Sequence, residues 1–238
     1  MTLAIYIKDP PKLANKKTRK KDRYFYLLIS LVGLLSIIFA VWPYFLWQLT
    51  TARRLTAKVQ DFPIPQKEVL SASQISQANV QVVKDPDGFS YFTTTYKPQG
   101  NRPKEFYVTI PKLKIENATA KVDNLNFKNN LSHFPGSALP GEIGNAFITG
   151  HSVLPQFNDP NDYNAIFTKL DSLEVGDEVY AQIGDQRFKY VVQYSKVVDP
   201  QDTSVLQPLS SQGKNLTLMT CVPPGTSTKR LVVITSLI

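Results

Sequence analysis

From Phe25 to Leu49 the chain reads FYLLISLVGLLSIIFAVWPYFLWQL, 25 residues without a charged side chain. No other feature constrains the folding of this sequence as strongly. In hydrocarbon there is no water to pair with exposed N–H and C=O groups, so such a run must close its hydrogen bonds internally, as a helix. At about 1.5 Å of rise per residue it can cross an apolar layer of ~30 Å with some tilt. Tyr24, Tyr26, Trp42, Tyr44 and Trp47 cluster toward its two ends, where amphipathic rings favour the lipid–water interface. A cleavable leader has an apolar core of about 7–15 residues and a small-residue cleavage site after it. This run is too long and lacks the site, so an uncleaved single-pass anchor is expected.

Charge gives that anchor a direction. Residues 1–54 hold ten Lys/Arg against two Asp/Glu, whereas residues 55–238 hold 17 of each sign, so the whole net charge of +8 lies at the N-terminal end. Lys8, Lys12, Lys16, Lys17, Arg19, Lys20, Lys21 and Arg23 precede the run, and only Arg53, Arg54 and Lys58 follow closely. Basic residues are retained on the cytoplasmic side. The expected organisation is a cytoplasmic basic tail over 1–24, a membrane helix over 25–49 in the plasma membrane, and everything from residue 50 outside. The extracytoplasmic part is neutral overall and carries no phosphate-tracking stripe, which excludes nucleic acid as a partner.

Residues 50–104 read as a stalk or appended segment. Pro63, Pro65, Pro86, Pro98 and Pro103 interrupt a polar stretch, with a short helix expected over 66–77 and a strand over 89–96. From Glu105 the texture changes to short β-type runs with turn signals between them: 106–110, 114–122, 145–149, 178–183, 187–198, 215–221 and 230–237. Gly184-Asp185 marks a hairpin turn between the fourth and fifth runs. Ile166, Phe167, Leu170 and Leu173 recur at helical spacing, so a helix is expected over 163–173. Many strands and little helix point to an antiparallel barrel or sandwich over 105–238.

Cys221 is the only cysteine, at the end of the apolar run Thr217-Leu218-Met219-Thr220-Cys221. Without a partner it cannot be an intrachain staple, and a lone thiol in a domain outside a membrane points to reactivity. A cysteine nucleophile needs a thiolate, a group to exchange protons with the leaving group, and a cation or donor for the developing oxyanion. There are two histidines to draw on. His151 follows Gly150 at the end of a strand, and His133 lies in a loop ahead of that strand. Arg230 opens the strand after the cysteine strand. If those two strands pair antiparallel, Cys221 and Arg230 share one rim, and a guanidinium there cannot lose its charge.

The run Thr217–Cys221 followed by Arg230-Leu231-Val232-Val233 resembles the signature of the sortases, membrane-anchored cysteine transpeptidases. Phe106–Lys112 (FYVTIPK) resembles the first strand of their barrel. The segment HFPGSALPGEIGNAFITGHS, from His133 to Ser152, is similar to the stretch ending in their catalytic histidine. Phe167–Leu173 with Gly176-Asp177 looks like their helix and following turn. The resemblance covers about residues 104–238 and implies a closed antiparallel sortase-type β-barrel of about seven to eight strands with one or two short helices, behind a single transmembrane helix.

Carried over by position, Cys221 is the nucleophile, His151 the general acid/base and Arg230 the stabiliser of the oxyanion or substrate carbonyl. Thr220, beside the cysteine, and Thr149, two residues before the histidine, belong to substrate binding. His133 matches no catalytic position. The implied activity is that of a cysteine peptidase and acyltransferase, which cleaves an LPxTG-like sorting signal at Thr–Gly and passes the acyl group to an amine. The acceptor would be a cell-wall precursor or a pilin lysine. No cofactor and no metal are expected, although Asp159, Asp162 and Asp171 are carboxylates that a calcium-binding variant could use. The chain reaches Ile238 without a second apolar span, and Asp85-Pro86-Asp87 lacks the aromatic of a pilin-type lid. The implied type is therefore class D/E-like or otherwise housekeeping rather than pilin-polymerising. Alternatives are a pilin-polymerising enzyme or a non-catalytic, membrane-tethered peptide-binding β-domain. A papain-like hydrolase is disfavoured, because there the cysteine opens a helix.

Overall fold

The computed structural model describes residues 20–47, 49, 80–84, 90–95 and 100–238. The expected helix over 66–77, the Asp85-Pro86-Asp87 turn and the rest of residues 50–79 lie outside the described residues. Helix α1 spans Lys20–Trp47. It begins five residues before the uncharged run, because Lys20, Lys21 and Arg23 are themselves good helix formers. Within it Tyr24–Trp42 is the one helical stretch, among the described residues, long and apolar enough to cross a membrane. Its side chains there are exposed on every face.

Eight strands close a barrel: β3 (Glu105–Ile110), β4 (Ile115–Lys121), β5 (Leu131–His133), β6 (Gly144–Thr149), β7 (Glu178–Ile183), β8 (Gln186–Val198), β9 (Lys214–Val222) and β10 (Lys229–Leu237). Around the barrel the order is β10-β8-β7-β3-β4-β5-β6-β9, with β9 returning to β10. Most ladders are antiparallel, but β4–β5 and β6–β9 run parallel, a departure from the all-antiparallel barrel expected. The chain must cross over to make those two pairings. The segments between β4 and β5 and between β6 and β9 are that crossover chain.

Alternation fills the interior. In β3, Phe106, Val108 and Ile110 are buried while Glu105 and Tyr107 are exposed, the period-two pattern of a strand with one wet face. They meet Ile148, Leu216, Leu218, Leu231 and Val233 in the barrel core, which Ile166, Phe167 and Leu170 plug from one end. Strands β9 and β10 break the alternation, being buried on both faces. A second apolar layer covers their outer side: Phe92, Phe134, Phe147, Tyr194, Val205, Leu206, Met219, Val232 and Ile234. Asn145 ties that layer down, donating from Nδ2 to Val205 O at 3.1 Å and accepting from Thr217 Oγ1 at 2.8 Å.

Part of the outer layer comes from the appended segment. Strands β1 (Val80–Lys84) and β2 (Ser90–Thr94) pair antiparallel into a two-stranded ribbon. The strand expected over 89–96 is thus β2, and its Phe92 packs on Phe147 with ring centroids 6.1 Å apart.

Two expectations need correction. Residues 163–173 keep their apolar periodicity but form tight turns and a short 3₁₀ segment, Leu170–Ser172. The reason is hydrogen bonding: Phe167 N–H donates to His151 O at 3.0 Å, and Thr168 Oγ1 accepts from Val153 N at 3.0 Å. The segment bonds to residues 151–153 and closes on itself only through i→i−3 turns, such as Thr168 N to Ala165 O at 2.9 Å.

His133, expected in a rim loop, belongs to β5 and is fully buried. Its Nε2 lies 2.9 Å from Ala138 O and 2.9 Å from Ser137 Oγ, and Nδ1 accepts from Asp123 N at 3.4 Å. Burial is the main cause holding this imidazole down at about 4, so it is neutral at neutral pH. The unfolded chain takes up that proton near 6.5 and the folded chain resists it. The stability His133 contributes is therefore present above 6.5 and lost as pH falls from about 6.5 through about 4. Denaturation of the full chain in detergent micelles should show this by circular dichroism: the gap in unfolding free energy between the parent and His133→Gln changes across that window. A constant gap would contradict it.

Candidate active site

The site is set by strand register. In the β9–β10 ladder Cys221 and Arg230 are direct partners. In the parallel β6–β9 ladder Thr149 is level with Met219. The chains stay side by side beyond the ladder, with Gly150 N donating to Met219 O at 3.2 Å, Thr220 Oγ1 to Gly150 O at 2.9 Å and Ser152 Oγ to Cys221 O at 2.7 Å. Two more residues along at the same offset bring His151 level with Cys221. Thiol and guanidinium thus stand on directly paired strands, about 4.8 Å apart, and the segment that carries His151 runs along the other edge of β9. Parity puts Cys221 with Met219, and Arg230 with Val232, on the outer face of the barrel, beneath the second apolar layer.

A narrow cleft opens there, walled by Tyr91 and Phe92 of β2, Leu125 and Phe127, Thr149 and Gly150, and Thr220, Cys221 and Arg230. The expected substrate-binding pair, Thr149 and Thr220, is thus on the wall, although Thr220 spends its hydroxyl on tying β9 to Gly150. The space a water-sized sphere can occupy is about 30 Å³. Small-molecule pockets hold roughly ten times that or more. A peptide can enter only if a wall gives.

The electrostatics follow from dryness. Cys221 is 7% exposed and Arg230 2%. Burial pushes the Cys221 thiol up from its ordinary 9.0, and the Arg230 charge pulls it partly back. Arg230 in turn is lowered by burial and steadied by Cys221, and its Nη1 donates to Ser227 O at 2.9 Å and Lys229 O at 3.0 Å. Burial lowers His151 below its ordinary 6.5; Asp162 raises it and Lys128 lowers it further. At neutral pH the resting pair is a neutral thiol and a neutral imidazole.

Gly150 precedes His151 with no room to spare. A Cβ there would fall 2.6 Å from Phe167 Cδ2 and 2.8 Å from Leu131 Cδ2. The glycine lets the histidine segment pass against the core plug. His133 does not reach the cleft wall; its neighbour Ser132 does. The carboxylates considered for calcium stabilise turns: Asp159 Oδ1 accepts from Asn161 N, and Asp162 Oδ1 from Asn164 N and Nδ2, all at 2.9 Å.

Sequence reasoning missed the aromatic wall. Phe127 packs against His151 with ring centroids 4.2 Å apart and planes at 43°. Tyr91, Phe92 and Phe127 sit in stretches read as a stalk or a connecting loop, with nothing local to mark them. Met219 was within reach, since it is two residues before Cys221 and period two carries it to the same face.

A family profile, the Sortase domain, matches residues 108–238, more than half of the chain. The chain belongs to the sortase family. It is 25% identical over 143 residues to Sortase D of Bacillus subtilis, covering 58% of this chain and 66% of that one. It is 26% identical over 179 residues to Sortase A of Staphylococcus aureus, covering 69% of this chain and 70% of that one. This sortase thus spans about two thirds of the length of those relatives. Among solved structures it is similar to a Clostridium perfringens Sortase D5 transpeptidase, at 30% identity and a TM-score of 0.47, covering 57% of this chain and 79% of that one.

If Phe92 is the wall that must give, removing its ring exposes the thiol. Phe92→Ala in the full chain should speed alkylation of Cys221 by a bulky maleimide severalfold, measured by mass spectrometry. An unchanged rate would assign the barrier to another wall.

Proposed function

We propose that this sortase is a cysteine transpeptidase with Cys221 as nucleophile, His151 as general acid/base and Arg230 as stabiliser of the oxyanion or the preceding carbonyl. The observation that supports the reading is the register that pairs Cys221 with Arg230 at a dry cleft, with the His151 segment hydrogen-bonded along the other edge of β9. Cys221 attacks the Thr–Gly amide of an LPxTG-like sorting signal. Its proton passes to His151, which gives it to the departing glycine amine, leaving a thioester to the threonine. An amine then enters, loses a proton to His151, and forms a new amide as the sulfur leaves. Thr149 and Thr220 would border the bound peptide. The reaction needs a thiolate, an imidazolium and a guanidinium, all supplied by the chain, so no cofactor or metal is invoked.

The apolar layer supports a substrate of this kind. Over it, Tyr91, Phe92, Leu125, Phe127 and Phe134 line the cleft with apolar surface suited to the leucine and proline of such a peptide. The helix Tyr24–Trp42 supports anchoring in the plasma membrane, and the basic residues before it support a cytoplasmic N-terminus with the barrel outside. A membrane-side site is where secreted proteins and cell-wall precursors both pass, so the favoured acceptor is a cell-wall amine.

The test is direct. The full chain in detergent micelles is incubated with a library of LPxTG-variant peptides and an amine, and the ligated product is sought by mass spectrometry. Product should form with the parent and vanish with Cys221→Ala. Binding without product at every sequence would instead favour a peptide-binding domain. His151→Ala and Arg230→Ala should each cost on the order of 3 kcal/mol or more in kcat/KM, the scale of one positioned donor.

The pH profile gives a separate check. With the thiol raised above 9.0 and the imidazole lowered below 6.5, the thiolate–imidazolium form is a minor but constant fraction between them. kcat/KM should therefore be flat across neutral pH, falling on the acid side below 6.5 and on the alkaline side above 9.0. A sharp optimum at neutral pH would contradict the assignment.

A further inference from the structure

We infer that Phe127 is the positioning residue of His151, held over the imidazole by a loop whose own polar side chains lock it in place; this deepens the proposed function and rests on His151 being its acid/base. The loop, residues 123–130, joins β4 to β5. At its base Arg102 Nε pairs with Asp123 Oδ2 at 3.2 Å, and Asp123 Oδ1 accepts from Gly136 N at 3.0 Å. Asn124 N donates to His133 O at 3.0 Å, and Ser132 Oγ donates back to Asn124 O.

Farther out the loop bonds to itself. Asn124 Oδ1 accepts from Asn126 N at 3.1 Å, Asn126 Oδ1 from Lys128 N at 3.1 Å, and Asn130 Nδ2 donates to Asn126 O at 2.8 Å. The amide side chains thus close a chain of short turns on either side of residue 127. Leu125 and Phe127 are the two apolar side chains of the loop, and both face the cleft. At 4.2 Å between centroids the Phe127 ring is in contact with the imidazole.

That contact has a chemical use. His151 must offer its nitrogen first to the sulfur and then to the leaving amine, a demand on the ring's plane as much as on its position. An aromatic ring in tilted contact with one side of the imidazole hinders its rotation and keeps water off that side. The charged groups that act on His151 are Asp162 after the strand and Lys128 beside Phe127 on the loop. Neither supplies an aromatic surface.

With two histidines in the chain, imidazole spectra of the full chain in micelles, labelled with ¹⁵N-histidine, give a signal for each. His133, buried and titrating at about 4, is a built-in monitor of the loop base. In Phe127→Ala and Phe127→Leu, water gains access to His151, and its titration should move up toward 6.5 while His133 stays in place. Acylation kcat should fall on the order of tenfold with little change in KM, and the acid limb of kcat/KM should move with the His151 titration. Phe127→Tyr, which keeps the ring, should restore both. If Phe127→Ala moves both histidines, the loop base has opened and Phe127→Leu, which keeps apolar volume, decides. An unmoved His151 titration and parent kinetics in Phe127→Leu would overturn the inference. A shifted titration with parent kinetics would uphold the packing and overturn the acid/base role of His151.

Discussion

Strand β9 is hydrogen-bonded on both edges, parallel to β6 and antiparallel to β10, and buried on both faces. The arrangement of the cleft depends on that double pairing. Side chains alternate along a strand, so a slip of one residue against either neighbour would turn Cys221 into the barrel core and Leu218 or Val222 outward. Burial of both faces makes such a slip costly, because each face has its own apolar layer to match. The sulfur is therefore held by packing that extends the length of the strand. The ties from Ser152 and Thr220 extend the same discipline to the histidine segment past the end of β6.

Dryness and charge oppose each other at this cleft. The aromatic wall that excludes water makes every ionised form inside expensive, which is why the thiol rises while the imidazole and the guanidinium fall. The partial compensation between Cys221 and Arg230 shows why a permanent cation belongs opposite the sulfur. A lysine on the same strand position would more readily surrender its proton to the apolar surroundings.

Much of the barrel was legible in the chain. Runs such as EFYVTI and NLTLMTC carry alternation or unbroken apolarity, and the strands they form differ from expectation by a residue or so at each end. What escaped was whatever tertiary pairing decided. β5 is three residues long and has no periodicity of its own, so His133 read as a loop residue. The apolar period at 163–173 was real, but the hydrogen bonds to residues 151–153 took it away from a helix. Cys221, His151 and Arg230 could be singled out because such residue types are scarce here and stand at strand ends. The walls could not. Phe92 is separated from Cys221 by more than a hundred residues, and no local signal links an aromatic in a proline-rich stretch to a cleft it helps to close.

The burial of Cys221 also bears on the survival of its sulfur. Peroxide and other oxidants attack thiolates, and a single cysteine has no neighbour in the chain to rescue a sulfenic acid as a disulfide before it oxidises further and irreversibly. A buried sulfur whose thiol is pushed up by burial, in a cleft lined by aromatic rings, presents little to such oxidants. The same features that leave the resting thiol sluggish thus shield a sulfur that no second cysteine in the chain could rescue.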